Sequence, residues 1–299
     1  MPKRDGTKFG KPRDGRTQAA GRQHRRPRPP HAGGRGKPHG HTHSHAHAAT
    51  GGRAFTAAGD DAIILYGWHS VKAALENPRR QIRRLFLTEN AARRLAEEGL
   101  ALPRYETARP DEIARRLSAD AVHNGLLAEA DPLAAPDIAE LPGDGIVLVL
   151  DQITDPHNVG AILRSAAAFA VRAIVTTARH SPEATGALAK AASGALEYVP
   201  VVTVQNLARG LAALKERGFL TVGLDSEAEH PLEALPLAAP LALVLGAEGK
   251  GLRQLTRQTC DNLARLDLPG EIKSLNVSNA TALSLYIATS RLRALSAGR

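Results

Sequence analysis

The stretch Gly145-Ile-Val-Leu-Val-Leu-Asp151 is a continuous apolar run that ends in a carboxylate. Apolar runs without alternation are typical of strands that are buried on both faces, as in a parallel sheet. Similar runs recur at four places further along the chain: 173–177, 198–204, 220–224 and 241–245. Segments with helical periodicity lie among them: 159–170, 184–193, 206–217 and 276–294. The alternation predicts a mostly parallel α/β sheet that is covered on both faces and binds ligands at the carboxyl ends of its strands.

A smaller alternation of strands and helices precedes this sheet. Its strand-like segments are 63–67, 82–88 and 125–129, and its helical segments are 69–76, 90–98 and 110–117. In the middle strand, Leu85 and Leu87 should face one side and Phe86 the other, because side chains alternate along a strand. We therefore expect a small α/β domain over residues 60–131 and a second α/β domain over residues 146–299. The segment 132–145, with three prolines and two glycines, is the predicted linker.

The first 59 residues differ from the rest in composition and charge. Residues 1–58 contain 13 Lys and Arg against 2 Asp and Glu, a net charge of +11, whereas the whole chain carries +9 and the remainder therefore −2. A Gly-, Pro-, Arg- and His-rich segment without apolar periodicity cannot bury enough surface to fold, so residues 1–59 are predicted to be a disordered basic tail. Its charge favours a polyanion such as RNA.

Five histidines alternate with small residues inside this tail: His39, His41, His43, His45 and His47. They are either a metal-binding tract or a solvated, partly protonated extension of the basic tail, and we favour the second interpretation. The single cysteine, Cys260, excludes an internal disulfide and a cysteine-based zinc cage. Because no apolar run approaches the length of a membrane span and the N-terminus lacks an apolar signal region, we expect a cytoplasmic protein without a membrane partner.

Three polar segments follow predicted strands of the larger sheet. In the first, Asp155-Pro-His-Asn158-Val-Gly160-Ala-Ile-Leu-Arg164, Asn158 is a candidate N-cap for the next helix. Arg164 lies among Ala, Ile and Leu, where an arginine is unexpected unless it meets solvent or an anion such as phosphate. The second, Gly246-Ala-Glu248-Gly249-Lys-Gly251, follows a buried strand but has the spacing of neither a dinucleotide fingerprint nor a phosphate loop.

The third segment, Ser274-Leu-Asn-Val-Ser-Asn-Ala280, precedes a long amphipathic helix. Capping and turn chemistry accounts for any one of its polar residues, though less readily for the whole set. In the second segment, the charge of Glu248 would repel a phosphate and suits a cationic or polar ligand, such as a sulfonium. A nucleotide-binding metabolic enzyme is therefore disfavoured, because both standard phosphate loops are missing.

Taken together, the three segments resemble the signature motifs of the SpoU (TrmH-like) branch of the SPOUT methyltransferases, in the same order and over residues 146–296. The motif N-x-G-x-x-x-R lies at Asn158, Gly160 and Arg164, apolar-G-x-E-G-x-G at 246–251, and S-L-N-V-S-x-A at 274–280. In the front domain, 66–71 and 122–125 resemble the ribosomal-protein-like substrate-binding domain of members that methylate a guanosine ribose in 23S rRNA. Asn124 stands where these members more often have Gln.

The resemblance implies an α/β fold with a C-terminal trefoil knot, a homodimer, and transfer of a methyl group from S-adenosylmethionine to an RNA ribose 2′-hydroxyl without a metal. It assigns cofactor binding to Gly246, Leu266, Leu268 and Leu275. It assigns the catalytic roles to Asn158, Arg164, Glu248, Ser274 and Asn276. The expected substrate is 23S rRNA. Two alternatives stay open: a tRNA substrate, and a non-catalytic RNA-binding protein of ribosome assembly.

Overall fold

A computed structural model describes residues 62–178 and 186–297 of the chain. The predicted tail over 1–59 and its alternating histidines lie outside the described residues. The described chain forms a four-stranded sheet of order β1-β4-β2-β3 and a six-stranded sheet of order β10-β8-β9-β5-β6-β7. No helix in the described ranges is both long and apolar enough to cross a membrane.

The four-stranded sheet is built from the first part of the chain. Its elements are β1 (Ile63–Tyr66), α1 (Trp68–Glu76), β2 (Ile82–Leu87), α2 (Glu89–Glu97), β3 (Glu106–Thr107), α3 (Pro110–Ala114) and β4 (Leu126–Ala130). Strand β4 pairs antiparallel with β1 and β2, and β3 pairs parallel with β2. Leu85 and Leu87 pack with α1 and α2, whereas Phe86 packs on the other face against Ile113, so the predicted alternation is confirmed.

The six-stranded sheet is parallel throughout, as predicted. Its elements are β5 (Ile146–Asp151), α4 (Pro156–Ala168), β6 (Ala173–Thr177), α5 (Gly186–Ala192), β7 (Val201–Val204), α6 (Leu207–Glu216), β8 (Leu220–Leu224), β9 (Leu241–Gly246), α7 (Gln254–Thr259), β10 (Asn262–Ala264) and α8 (Val277–Ala297). Alternate residues of β5 enter opposite cores, Leu148 with α4, α5 and α8, and Val147 with α6. Both faces are therefore covered, which explains the unbroken apolar runs.

Several element boundaries differ from the sequence-based expectation. Strand β7 starts at Val201 rather than 198, because residues Ala195–Glu197 form a 3₁₀ turn. Helix α7 and strand β10 were not predicted. Within α7 only Thr256 is buried, so that helix carries no apolar stripe, and β10 is three residues long.

The order of the strands determines where a ligand can bind. On one side of β5 the sheet continues with β6 and then β7, in chain order. On the other side β5 pairs with β9, and the sheet continues with β8 and then β10. The register places Asp151, the last residue of β5, beside Gly246, the last residue of β9. In open α/β sheets, ligands bind at the carboxyl ends of the strands where the strand order reverses in this way.

Candidate active site

A cavity of about 460 Å³ opens at this edge of the sheet, beyond the ends of β8, β9 and β10. Its three walls are the segments 245–251, 264–268 and 273–280, and residues 224–226 complete the lining. All four residues predicted to bind the cofactor line it: Gly246, Leu266, Leu268 and Leu275. Three of the five predicted catalytic residues also line it: Glu248, Ser274 and Asn276. The fold thus brings seven of the nine predicted site residues to one cavity.

The first wall depends on a close backbone approach at Gly246. The loop after β9 turns back on itself, and the backbone N–H of Gly251 donates to the carbonyl of Ala247 at 2.8 Å. A Cβ on Gly246 would lie 2.1 Å from the carbonyl carbon of Gly251, a distance that no side chain tolerates. Glycine is therefore required here by the tightness of the turn.

A buried carboxylate that sequence reasoning did not select holds the same loop. Asp151 is fully buried, and its Oδ2 accepts from the backbone N–H of Arg253 at 3.0 Å. Its Oδ1 accepts from the Arg253 Nε at 2.6 Å. The loop from Gly246 to Arg253 is therefore fastened to the end of β5. The sequence signal that could have identified Asp151 is its position as the carboxylate at the end of an apolar run.

The Asn158 side chain connects α4 to the third wall of the cavity. The prediction that Asn158 caps α4 is wrong. Asp155 is the N-cap and accepts from the backbone N–H of His157 at 2.9 Å, and Pro156 occupies the first helical position. Asn158 lies inside the first turn, and its Oδ1 accepts from the Asn276 Nδ2 at 3.0 Å.

Asn276 has a second role at the start of α8. Its Oδ1 accepts from the backbone N–H of Ser278 at 3.0 Å and from the Ser278 hydroxyl at 2.6 Å. The carbonyl end of this amide thus holds the first turn of α8, and the NH₂ end reaches α4. One side chain therefore fixes the loop of the third motif relative to the helix of the first motif.

Gly160, the middle residue of the first motif, lets α4 approach α5 closely. A Cβ at this position would lie 2.3 Å from the Ala191 Cβ and 2.9 Å from the Ala192 backbone nitrogen. The helices can therefore pack at this distance only with glycine at the contact. Since α4 also carries Asn158, this packing sets the distance from Asn158 to the cavity.

Arg164, the last residue of the first motif, is exposed on α4 and does not line the cavity. In residues 62–178 and 186–297 its guanidinium has no hydrogen-bond or ion-pair partner. A single chain therefore does not bring Arg164 into contact with Glu248, Ser274 or Asn276. Its catalytic role stays a prediction.

Among the charged residues that line the cavity, Glu248 can meet a cationic group of a ligand. Asp225 pairs with Arg257 at 2.9 Å, and the Lys273 Nζ donates to the carbonyl of Leu268 at 2.8 Å. Glu248 has no such partner among the described residues, so its carboxylate is available at the cavity wall. In the described ranges no group of three His, Cys, Asp or Glu side chains is arranged to hold a metal ion.

Cys260, the single cysteine of the sequence, has an unreactive thiol. Its Sγ donates to the carbonyl of Thr256 at 3.3 Å. Burial, together with the neighbouring Asp261 carboxylate, raises the pKa of the thiol to about 12. The thiolate is the reactive form of cysteine, so Cys260 is not a nucleophile at neutral pH.

The chain matches two family models, one for each of its two sheets. Residues 145–286 match the model of the SpoU rRNA methylase family, and residues 64–136 match the model for RNA 2′-O ribose methyltransferase substrate binding. A parallel α/β sheet with this cavity, joined to such a substrate-binding region, defines an RNA 2′-O-methyltransferase. The first match includes all three walls of the cavity. The chain belongs to the SpoU rRNA methylase family.

Individual relatives extend the match over most of the chain. A 23S rRNA (guanosine-2′-O-)-methyltransferase RlmB from Pseudomonas putida is 39% identical over 233 residues, 74% of this chain and 94% of the relative. The structure of a candidate RNA methyltransferase of the TrmH family from Porphyromonas gingivalis has a TM-score of 0.66 and 27% identity, over 77% of this chain and 90% of that one. The SpoU methyltransferase AviRb from Streptomyces viridochromogenes, solved in complex with AdoMet, has the same fold, with a TM-score of 0.66 and 22% identity over 77% and 90% of the two chains.

Proposed function

We propose that this RNA 2′-O-methyltransferase transfers a methyl group from S-adenosylmethionine to the ribose of a guanosine in 23S rRNA. The observation that carries the proposal is the single cavity in which the second and third motifs meet, with Asn276 connecting it to the first. The substrate is supported by the Pseudomonas putida relative, whose length this chain covers to 94%.

The cavity fits S-adenosylmethionine in size and in chemistry. Its volume of about 460 Å³ is within the usual range for small-molecule sites. We propose that Leu266, Leu268 and Leu275 make apolar contacts to the adenine, and that the backbone around Gly246 hydrogen-bonds to the polar groups. The Glu248 carboxylate suits the positive charge of a sulfonium. AviRb, with the same fold, was solved with this ligand.

The residues around the cavity would orient the RNA for an in-line displacement. When bound, S-adenosylmethionine supplies a methyl group that is already activated for transfer. A ribose 2′-hydroxyl is a poor nucleophile until its proton is removed or strongly polarised. A guanidinium has N–H donors and no acceptor, so the Arg164 side chain is unsuited to act as a base. We therefore assign Arg164 to an RNA phosphate and to developing charge rather than to proton abstraction.

The amide pair Asn158–Asn276 is suited to orienting the ribose. Its two side chains join α4 to the loop that contains Ser274, and Asn276 lies at the wall of the cavity. We propose that Asn158, Ser274 and Asn276 position the 2′-hydroxyl through their amide and hydroxyl groups. Glu248, in the loop that follows β9, would contribute to the same orientation from the first wall of the cavity.

The assembly of the enzyme is also part of the proposal. We propose that segment 262–297 forms the trefoil knot, which is supported by the return of residues 264–280 to the wall built by 246–251. A homodimer is supported by two apolar side chains on α8, Leu283 and Tyr286, which are 37% and 61% exposed. Residues 60–131 and the basic tail would bind RNA, and 132–145 would link the two domains.

Methyl transfer from labelled S-adenosylmethionine to unmodified 23S rRNA and to bulk tRNA, followed by mapping of the modified ribose, tests the proposal. We expect one labelled guanosine in 23S rRNA. A 23S transcript with a 2′-deoxyguanosine at the mapped position is the matched control and should accept no label. Label in tRNA alone would overturn the substrate. Absence of label in both RNAs would favour a non-catalytic RNA-binding protein.

A further inference from the structure

A second polar cavity lies at the same edge of the sheet, on the α6 and α7 side. It has a volume of about 400 Å³ and opens beyond the ends of β6 and β7. The exposed side chains of its lining that could recognise a ligand are Gln205, Asn206, Arg253 and Leu255. None of these residues belongs to the three motifs, and none lines the cavity assigned to S-adenosylmethionine.

Arg253 is the single charged side chain among the described residues that line this second cavity. Its Nε donates to the fully buried Asp151, which fixes the plane of the guanidinium. In the described ranges the two terminal nitrogens have no hydrogen-bond partner, and the side chain is 42% exposed. A guanidinium held in this way presents a two-pronged donor, which matches two oxygens of a phosphate.

The other lining residues suit the base and ribose of the same nucleotide. Gln205 and Asn206 are exposed. The Gln205 carboxamide can both donate to and accept from a base edge, and the Asn206 NH₂ group can donate to it. Leu255, with 59% of its surface exposed, offers an apolar face against which a base or ribose can pack. One cation, two carboxamides and one apolar face together match a single unstacked ribonucleotide.

The two cavities share one loop. Residues 246–251 form a wall of the first cavity, and Arg253, two residues later, enters the second. We propose that the second cavity is a subsite for a single-stranded nucleotide near the methylated one in the same RNA strand, with its phosphate on Arg253. This inference rests on the proposed function, because it takes the RNA substrate as its ligand.

Two substitutions test the subsite without removing the Asp151–Arg253 contact. Asn206 caps α6, since its Oδ1 accepts from the backbone N–H of Arg209 at 3.1 Å, and Asp caps equally well. Asn206→Asp therefore keeps the helix and adds a negative charge beside the proposed phosphate. Gln205→Glu adds the same charge at the neighbouring position. Gln258→Glu, on an exposed part of α7 outside the cavity, is the matched control.

The dissociation constant is measured for the RNA that the wild-type protein methylates, over a series of salt concentrations. We expect roughly tenfold weaker RNA binding for Asn206→Asp and for Gln205→Glu, and a salt slope smaller by about 0.7 for one lost phosphate contact. The S-adenosylmethionine affinity and the melting temperature should stay at wild-type values. Gln258→Glu should bind RNA within about twofold of wild type.

Wild-type RNA affinity in both cavity variants, or an equal loss in Gln258→Glu, would overturn the subsite. Failure of the proposed function has a different signature, because the wild-type protein itself would then transfer no methyl group to RNA. An active wild-type enzyme with unaffected cavity variants would remove the subsite alone.

Discussion

Close backbone contacts at single glycines determine the geometry of the site. Gly246 lets the loop after β9 fold back on itself, and Gly160 lets α4 approach α5. Both belong to motifs that the sequence makes visible, but the pattern does not say what either glycine does. Their neighbours, Gly251 and Ala191, show that both glycines allow a close backbone approach that a side chain would block.

Substitution of Gly160 by alanine should force α4 away from α5. The added Cβ would overlap Ala191 and its backbone, and overpacking of this kind costs about 1 to 3 kcal/mol. Because α4 carries Asn158, we also expect slower methyl transfer. Urea unfolding and turnover measure the two effects.

Gly210→Ala provides the comparison for this experiment. Gly210 also lies inside a helix, α6, but a Cβ there would meet Val204 at an ordinary distance of 3.4 Å. Alanine should therefore be neutral at Gly210 or stabilise the helix by up to about 1 kcal/mol. Equal stability of the two alanine variants would refute the packing role of Gly160.

Asp261 joins three elements on the α6 side of the sheet. Its Oδ2 accepts from the Thr221 N–H at 2.9 Å and from the Thr221 hydroxyl at 2.8 Å, and its Oδ1 lies 2.7 Å from the Lys215 Nζ. Partial burial raises the pKa of the carboxyl, but these hydrogen bonds and the lysine charge outweigh burial and lower the pKa. The contact therefore ties α6 and β8 to the turn before β10.

Asp261→Asn should destabilise the protein at pH 7 by about 1 to 2 kcal/mol, because it weakens a charged hydrogen-bond network. A carboxyl with a lowered folded-state pKa contributes stability above its unfolded-state pKa, and this contribution is lost as the pH falls through the folded-state value. The difference between wild type and variant should therefore shrink below about pH 4. Urea unfolding at pH 7, 5 and 3.5 measures it.

The exposed Asp267 gives the reference for this titration. Its carboxylate lies 3.9 Å from the Arg265 Nε, and Asp267→Asn should change stability by less than about 0.5 kcal/mol at each pH. A constant stability difference for Asp261→Asn across the pH series would argue against the assigned ionic role.

Features that depend on neighbouring residues could be predicted from the sequence, whereas contacts between distant segments could not. The apolar runs predicted the parallel strands because burial on both faces is visible within each run. The cap of α4 was assigned to Asn158 rather than Asp155, although Pro156 at the first helical position marked the correct start. The Asp151–Arg253 contact spans 102 residues, and no local pattern reveals it.

The two sheets are joined by a buried ion pair as well as by apolar contacts. Arg80, just before β2, and Glu197, in the 3₁₀ turn before β7, have side chains that are each 2% exposed. The Arg80 Nη2 donates to the Glu197 Oε1 at 2.7 Å, and Asn77 donates to the Oε2 at 2.8 Å. The Ser70 hydroxyl donates to the Ala189 carbonyl at 2.8 Å nearby. These contacts set the position of the four-stranded sheet relative to α5, and α5 packs on α4.

Glu197→Gln should cost about 3 to 5 kcal/mol, because it leaves the Arg80 charge buried without a counter-charge. The double variant Arg80→Leu/Glu197→Leu should be more stable than Glu197→Gln, since it removes both charges. Denaturant unfolding of the three proteins measures this difference. Glu106→Gln breaks the exposed pair with Arg84 and should cost less than about 1 kcal/mol. A loss for Glu197→Gln as small as for Glu106→Gln would contradict the role of the buried pair.

The hydrogen bond between Asn158 and Asn276 has a consequence for the biosynthesis of the enzyme. It spans 118 residues, and the cavity wall extends to Ala280. Chains begin to fold from the N-terminus while they are being made, and contacts of such high sequence separation form late. A nascent chain that ends before Val277 already contains the strands of both described sheets but lacks Val277 and Ala280 of the cavity wall. The cavity wall is therefore complete only after residue 280 has been made, and products truncated before it would have the sheets without the complete site.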